Sequence, residues 1–287
     1  MKASPLWGTF FLTALLSTAL LSIVSAPAWG GVIAYYGFNS SATTDNSGNG
    51  NNLTVSGGAT IDTGGGNQAF GAGALSLDGT GFVYRALNDP SFDFGTGDFA
   101  VSLFYRREVG GTTRPLIGNG STANIGSDPL SGFTLNMQDL GGTPDIANLQ
   151  GSSLTTTAPA NPNDILAFSH IVAQRNAGTF ELWIDGALVD TQANGIDVNT
   201  GMAFAVGAQN VEANGTIADS SDVFSGLIDE VWVFDNALTG TQIAELAAND
   251  PPFPIGGGGG GATPEPGTGI VLAGLLCGWL VRLRRIA

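Results

Sequence analysis

With 287 residues, 44 of them glycine and only 11% charged, the chain has the turn density of a β-rich protein and few residues suited to solvent-exposed helices. Its formal net charge is −15, and between residues 31 and 266 five arginines stand against all 24 Asp and Glu, a balance of −19 that disfavours nucleic acid and anionic lipid as partners. The one cysteine, Cys277, excludes an internal disulfide, so stability has to come from a sizeable core, with bound metal as a possible supplement.

Met1-Lys2 gives a weakly basic start, followed by an apolar stretch over residues 6–24 and the small residues Ser25-Ala26-Pro27-Ala28. Residues 1–30 read as a secretory signal peptide cut between Ala26 and Gly30. An uncleaved transmembrane helix is the alternative, because the apolar run is long for a signal. From residue 31 the pattern changes to short strands between turn clusters. Strands are expected at residues 32–38, 73–77, 98–105, 132–137, 163–174, 180–184, 187–192, 202–206 and 226–234. Asp78-Gly79 and Asp185-Gly186 are turn dipeptides. In residues 98–105, Phe99, Val101, Leu103 and Tyr105 share one face. Thr239-Gly240-Thr241-Gln242 has capping-box spacing ahead of Ile243 and Leu246, which predicts one short helix. The fold class is therefore all-β, an antiparallel two-sheet sandwich or jelly roll over residues 31–250 with a short C-terminal helix.

Residues 251–262, with three prolines and six consecutive glycines, read as a flexible linker. Residues 263–287 hold Pro264-Glu265-Pro266, an uncharged apolar run and then Arg282, Arg284 and Arg285. As a hydrophobic helix the run reaches about 20 Å, short of a bilayer core of ~30 Å, and its arginines suit the cytoplasmic side. This tail resembles the PEP-CTERM sorting signal, which implies transient membrane anchoring, cutting by an exosortase-type protease, and a destination at the cell surface or in the extracellular matrix. An ordinary C-terminal anchor is the alternative.

Ser169-His170-Ile171-Val172-Ala173, Ala237-Leu238-Thr239 and six further segments carry a second resemblance. The six are Tyr36-Gly37-Phe38-Asn39, Asp45-Asn46-Ser47-Gly48-Asn49-Gly50, Ala74-Leu75-Ser76-Leu77-Asp78-Gly79, Asp98-Phe99-Ala100-Val101-Ser102, Glu181-Leu182-Trp183-Ile184-Asp185-Gly186 and Gly226-Leu227-Ile228-Asp229-Glu230-Val231. In order and spacing they resemble a laminin-G-like domain of the concanavalin A-like lectin/glucanase superfamily. The resemblance implies a jelly roll that binds glycans or proteins, often with calcium. It also implies calcium ligands at Asn39, Asp45, Asn49, Gly79 (through its carbonyl) and Asp229, although the family more often has an acid where Asn39 stands.

Read from its own strand, Asp229 shares a face with Leu227, Val231 and Val233, and is expected to be buried. A buried carboxylate needs a cation or hydrogen-bond donors, so calcium and backbone amides at a bulge are the two readings. Trp183 shares a face with Glu181, as a glycan-stacking platform or as a ring covered by neighbouring chain. The paired carboxylates of a retaining glycosidase are not legible: Asp229 and Glu230 alternate faces, and Asp185 opens a turn. His170 is the only histidine and reads as a strand residue, with no nucleophile context around it. The functional expectation is a non-enzymatic, exported carbohydrate-binding domain with extracellular polysaccharide or a surface protein as partner. A structural or adhesive surface protein without glycan specificity is second, and a glycan-cleaving enzyme third.

Overall fold

The longest strand, Ser225–Phe234, is the spine of the protein. Nine of its ten residues are buried, and Leu227, Ile228, Val231, Trp232, Val233 and Phe234 supply both of its faces. A strand apolar on both sides has to lie inside a sheet that is covered twice. That is its position in the computed structural model, which describes residues 31–85, 90–107, 114–120, 132–137, 146–149, 152–155, 167–212, 214–217 and 223–248. The expected signal peptide, linker and sorting tail lie outside the described residues.

In chain order the strands are β1 (Val32–Tyr36), β2 (Thr54–Ser56), β3 (Thr60–Asp62), β4 (Ala74–Asp78), β5 (Phe82–Arg85), β6 (Phe99–Arg107), β7 (Arg114–Gly118) and β8 (Phe133–Met137). Then follow β9 (Ile146–Leu149), β10 (Ser152–Thr155), β11 (Ser169–Asn176), β12 (Thr179–Ile184), β13 (Ala187–Ala193), β14 (Phe204–Val206), the spine strand β15 and the helix α1 (Gly240–Ala247). Two antiparallel sheets form a sandwich. The larger runs β13-β12-β11-β6-β15-β4-β3 and the smaller β10-β9-β8-β7-β14-β5-β2. β1 shares β15 with β4: β4 pairs with Ser225–Ile228, and β1 pairs with Val231–Phe234. The interval between them holds Asp229 and Glu230, where the pairing of β15 with β6 shifts register and Glu230 adopts φ 50°.

That bulge corrects the expected placement of Asp229. Ile228, Val231 and Val233 all enter the core between the sheets, with Val101, Leu103 and Tyr105 of β6 and Ile171 and Ala173 of β11. The extra residue at the bulge breaks the two-residue alternation, so Asp229 lies opposite Phe104, on the outer side of the large sheet and away from Val231 and Val233. It is still fully buried, because the chain before β4 covers it.

The outer face of the large sheet is also closed by α1. Ile243, Leu246 and Leu238 pack on Tyr35, Ala100, Val172, Trp232 and Phe234, each buried side chain contributing about 1.5–3 kcal/mol. The capping box holds as the spacing predicts: Thr239 Oγ1 accepts from Gln242 N–H, and the Gln242 side chain accepts from Thr239 N–H at 2.8 Å. No helix among the described residues is long and apolar enough to cross a membrane. Strands β2, β3, β5, β7, β9 and β10 were not expected from the sequence. All are three to five residues long, too short to show a period of their own.

Candidate functional site

A cleft of about 540 Å³ opens at one end of the sandwich. Its walls are Ile33 of β1, Asn49 and Asn51 of the following loop, Ser91, Asp93, Phe94, Gly97 and Asp98 ahead of β6, and Asp235 just past β15. Four separate chain segments meet there, so only the assembled fold creates it.

Both loops that form it are held from beneath. Asp45 ties the first loop to β1, its carboxylate accepting N–H groups from Tyr35 at 3.1 Å, Ser47 at 2.9 Å and Asn51 at 2.9 Å. Asn49 Nδ2 donates to the carbonyls of Val32 and Ile33, and Asn51 Nδ2 donates to Ile33 at 2.8 Å. The second loop is fixed by Arg175, a fully buried guanidinium. Its Nε donates to Gly97 O at 2.6 Å, Nη1 to Ile196 O at 2.6 Å and Nη2 to Gly95 O at 2.7 Å. The guanidinium also lies over the Phe99 ring at 5.4 Å, and Phe94 stacks on that ring at 4.6 Å. Burial lowers the Arg175 pKa, and the Asp98 and Asp197 carboxylates offset part of that.

Within this frame the cleft presents unengaged polar groups. Asn51 is only 7% exposed, yet its Oδ1 receives no hydrogen bond from the protein. Asp93 and Asp235 are exposed and likewise accept none, while Asp98 uses Oδ1 on Ala177 N–H at 2.9 Å. A rigid concavity with convergent unfilled polar groups is the usual form of a small-ligand site. Sequence reading missed Ser91, Asp93, Phe94, Asp98 and Asp235 as site residues, because they lie in connections between strands, where Ser and Asp also make ordinary turns.

The five calcium positions implied by resemblance each have a place in the protein's own hydrogen bonding or turns. Asp45 and Asn49 brace the first loop on β1, and Gly79 (φ 83°) turns the β4–β5 hairpin with Asp78 Oδ1 accepting from Thr80. Asn39 and Asp229 do meet one segment. Asp229 Oδ2 accepts N–H from Ala69 at 2.9 Å and from Phe70 at 3.2 Å, and Asn39 Oδ1 accepts from Ala72 N–H. Asp229 Oδ1 takes the N–H of Glu230 at 2.9 Å. Backbone amides at a bulge, one of the two readings of this carboxylate, are therefore present. The same segment holds Gln68 Oε1, a buried oxygen without a hydrogen-bond partner. An all-oxygen set of Asn39, Gln68 and Asp229 fits the donor preference of a hard cation. Among the described residues no group of three His, Cys, Asp or Glu side chains forms a metal cluster.

Beside Asp229, Glu230 accepts the Tyr35 hydroxyl at 2.6 Å, and Tyr35 stacks on Trp232 at 3.9 Å. Burial, the neighbouring Glu230 charge and three opposing backbone N–H bonds bring Asp229 to a pKa of about 8. Burial raises Glu230 to about 7 against the bond from Tyr35. Burial and the two carboxylates push the Tyr35 hydroxyl upward, so it remains the donor. Asp229 is 0% and Glu230 3% exposed, so neither carboxyl reaches a substrate. His170, 1% exposed, contacts Ser102 Oγ through Nε2 at 2.8 Å, and burial drops its pKa to about 3. It is a neutral strand histidine, as its sequence context suggests.

Trp183 lies outside the cleft. Its Nε1 donates to Glu181 Oε2 at 2.9 Å, and a Cβ on Gly240 would stand 3.2 Å from its ring, so the start of α1 covers one face. The ring is half-buried. Glu181 is engaged by Gln174, Asn176 and Trp183 together.

The Laminin_G_3 model, described as concanavalin A-like lectin/glucanases superfamily, matches residues 78–244, more than half of the chain. No curated protein matches it in sequence. Among solved structures, domain 4 of AbnA is similar. It belongs to a GH43 extracellular arabinanase from Geobacillus stearothermophilus and was solved with arabinotriose. The likeness has TM-score 0.53 and 20% identity, over 75% of this chain and 98% of that one. The binding domain of Paraclostridial Mosquitocidal Protein 1 is similar at TM-score 0.55 and 17% identity, covering 76% and 52%. Botulinum neurotoxin type C, whose passage into cells depends upon interaction with two ganglioside molecules, gives TM-score 0.52 and 18% identity, covering 76% and 51%. This chain spans about half the length of those two toxin structures. The sandwich and the matched span together place the chain in the concanavalin A-like lectin/glucanase superfamily.

Proposed function

We propose that the protein is a non-catalytic carbohydrate-binding domain, exported from the cell, and that its ligand site is the cleft at the end of the sandwich. The observation that carries this reading is the buried Asn51 side chain, whose oxygen faces no protein donor in a cleft otherwise lined by Asn49, Ser91, Asp93, Asp98 and Asp235. Sugars are recognised through such planar amides and carboxylates, and Phe94 contributes an edge of the apolar core to the cleft wall. Similar folds occur with arabinotriose and in a ganglioside-dependent toxin, which supports the ligand class. Binding is favoured over cleavage, because Asp229 and Glu230 are sealed beneath the chain before β4. Extracellular polysaccharide is the proposed partner, with a surface protein as the alternative.

The test is an array of polysaccharides and oligosaccharides probed with the purified protein and with Asp93→Ala. Retention on at least one glycan, reduced about tenfold or more by the variant, is expected for loss of a charged hydrogen bond. Absence of binding to every glycan favours the structural or adhesive role. Equal retention by Asp93→Ala moves the site away from the cleft.

Export and sorting belong to the same proposal and rest on residues 1–30 and 263–287. Sequencing the C-terminus of the mature protein is expected to find an end near Pro264-Glu265-Pro266, with the membrane segment removed by an exosortase-type protease. Recovery of intact Arg282, Arg284 and Arg285 on released protein contradicts that processing. Calcium enters the reading as a proposed structural ion at Asn39 and Asp229, where it would supply charge compensation to a buried carboxylate.

A further inference from the structure

The cleft is one-sided in its hydrogen bonding, and that asymmetry bears on its ligand. Among the described residues its lining contains no Lys, Arg or His. The nearest guanidinium, Arg175, has its Nε, Nη1 and Nη2 on backbone carbonyls and offers them to Gly97, Ile196 and Gly95 instead. Both amide hydrogens of Asn49 and one of the two on Asn51 are turned inward onto β1 carbonyls. The acceptors left open are Asn51 Oδ1, the Asp93 and Asp235 carboxylates, and the second oxygen of Asp98, so acceptors predominate. A ligand that fills them must bring donors, and three carboxylates around one cleft favour a positive ligand and repel a negative one.

Resting on the carbohydrate-binding reading above, we propose that the cleft selects a polysaccharide carrying free amines, a glucosamine-type polymer, over its N-acetylated, neutral and uronic-acid counterparts. An ammonium on a sugar ring supplies up to three donors and a charge. N-acetylation leaves one N–H and adds a carbonyl acceptor that has no donor to meet, and a uronate adds a second negative group. The Asn51 oxygen, held rigidly by the inward amide bond, gives the ring a fixed neutral acceptor beside the carboxylates.

The experiment is calorimetric titration of the full protein with four trisaccharides: glucosamine, N-acetylglucosamine, glucose and galacturonate. It is run at about pH 6, where the sugar amines are largely protonated. The expected result is glucosamine trisaccharide binding at least about tenfold more tightly than the others, weakening with added salt. Asp93→Asn and Asp235→Asn alter exposed side chains without internal bonds, so the melting temperature should hold while this preference falls about tenfold in each. Equal affinity for the glucosamine, N-acetylglucosamine and glucose trisaccharides, unaffected by either variant, overturns the amine preference and leaves carbohydrate binding standing. Tightest binding of galacturonate overturns it as well. Equal affinity for trilysine shows a cation site without sugar selectivity and also overturns it. Failure of all four trisaccharides overturns both this inference and the reading on which it rests.

Discussion

Arg175→Met is expected to lower the unfolding free energy by about 3–5 kcal/mol and the melting temperature by about 10 °C. The side chain is 0% exposed and bridges β11 to two loops, through carbonyls at Gly95, Gly97 and Ile196. Methionine keeps much of the volume over Phe99 but leaves three carbonyls without their donors, each costing about 1–3 kcal/mol where water cannot replace it. Arg175→Lys keeps the charge, yet a single ammonium cannot reproduce the planar fork, so its loss should be intermediate. Denaturant and thermal unfolding of both variants measure this. A methionine variant within about 1 kcal/mol of wild type would show that the guanidinium is not holding the loops. Because Gly97 and Asp98 form one wall of the cleft, the lysine variant should also bind glycan more weakly, even at temperatures where it is fully folded.

Metal-free protein is expected to lose stability as pH rises through the folded pKa values of Glu230 and Asp229, about 7 and about 8. Both values lie above those of unfolded Glu and Asp, about 4.3 and 3.9, so the folded state holds the extra protons. Their contribution is complete below about pH 4, declines as the unfolded chain ionises, and is gone above about pH 8. In EDTA the melting temperature should therefore fall between about pH 5 and pH 8 and level off above, a loss on the order of a few kcal/mol. Asp229→Asn keeps the side-chain oxygen that accepts from Ala69 and Phe70 while removing the charge, so it should flatten that profile and melt higher at about pH 9. A wild-type profile as flat as the variant's would contradict the buried, proton-bearing pair. Calcium at Asn39 and Asp229 would instead favour the ionised carboxylate, raising the wild-type melting temperature most at alkaline pH and leaving Asp229→Asn unmoved. No calcium response at any pH would sink that ion.

The strands legible in the sequence were those with their own periodicity or turn punctuation. Phe99, Val101, Leu103 and Tyr105 face the core as their alternation implies, and Asp185-Gly186 turns between β12 and β13. The helix start at Thr239 followed from a capping box, which is a local arrangement of four residues. Burial of Asp229 was also legible, because Leu227, Ile228, Val231, Trp232, Val233 and Phe234 make its strand apolar on both faces. The side it faces was not, since the bulge depends on β15 bridging β1 and β4 end to end, and nothing in Asp229-Glu230 itself encodes where those strands stop.

Candidate ligand residues divide along the same line. Asn39 and Asp229, chosen by resemblance, do meet one segment, while Trp183 is partly covered by α1, which returns from over fifty residues further along the chain. Arg175 read as one of five arginines in a strongly acidic chain, with no sign that it would be buried.

By itself the sequence determined the class of fold, the acidic balance and the local devices of turn and cap, because periodicity, charge and capping are properties of neighbouring residues. Tertiary structure alone decided the phase of β15, the role of Arg175 and the existence of the cleft. Each of these requires segments distant in the chain to share hydrogen bonds, and such pairings leave no mark on any single stretch of sequence.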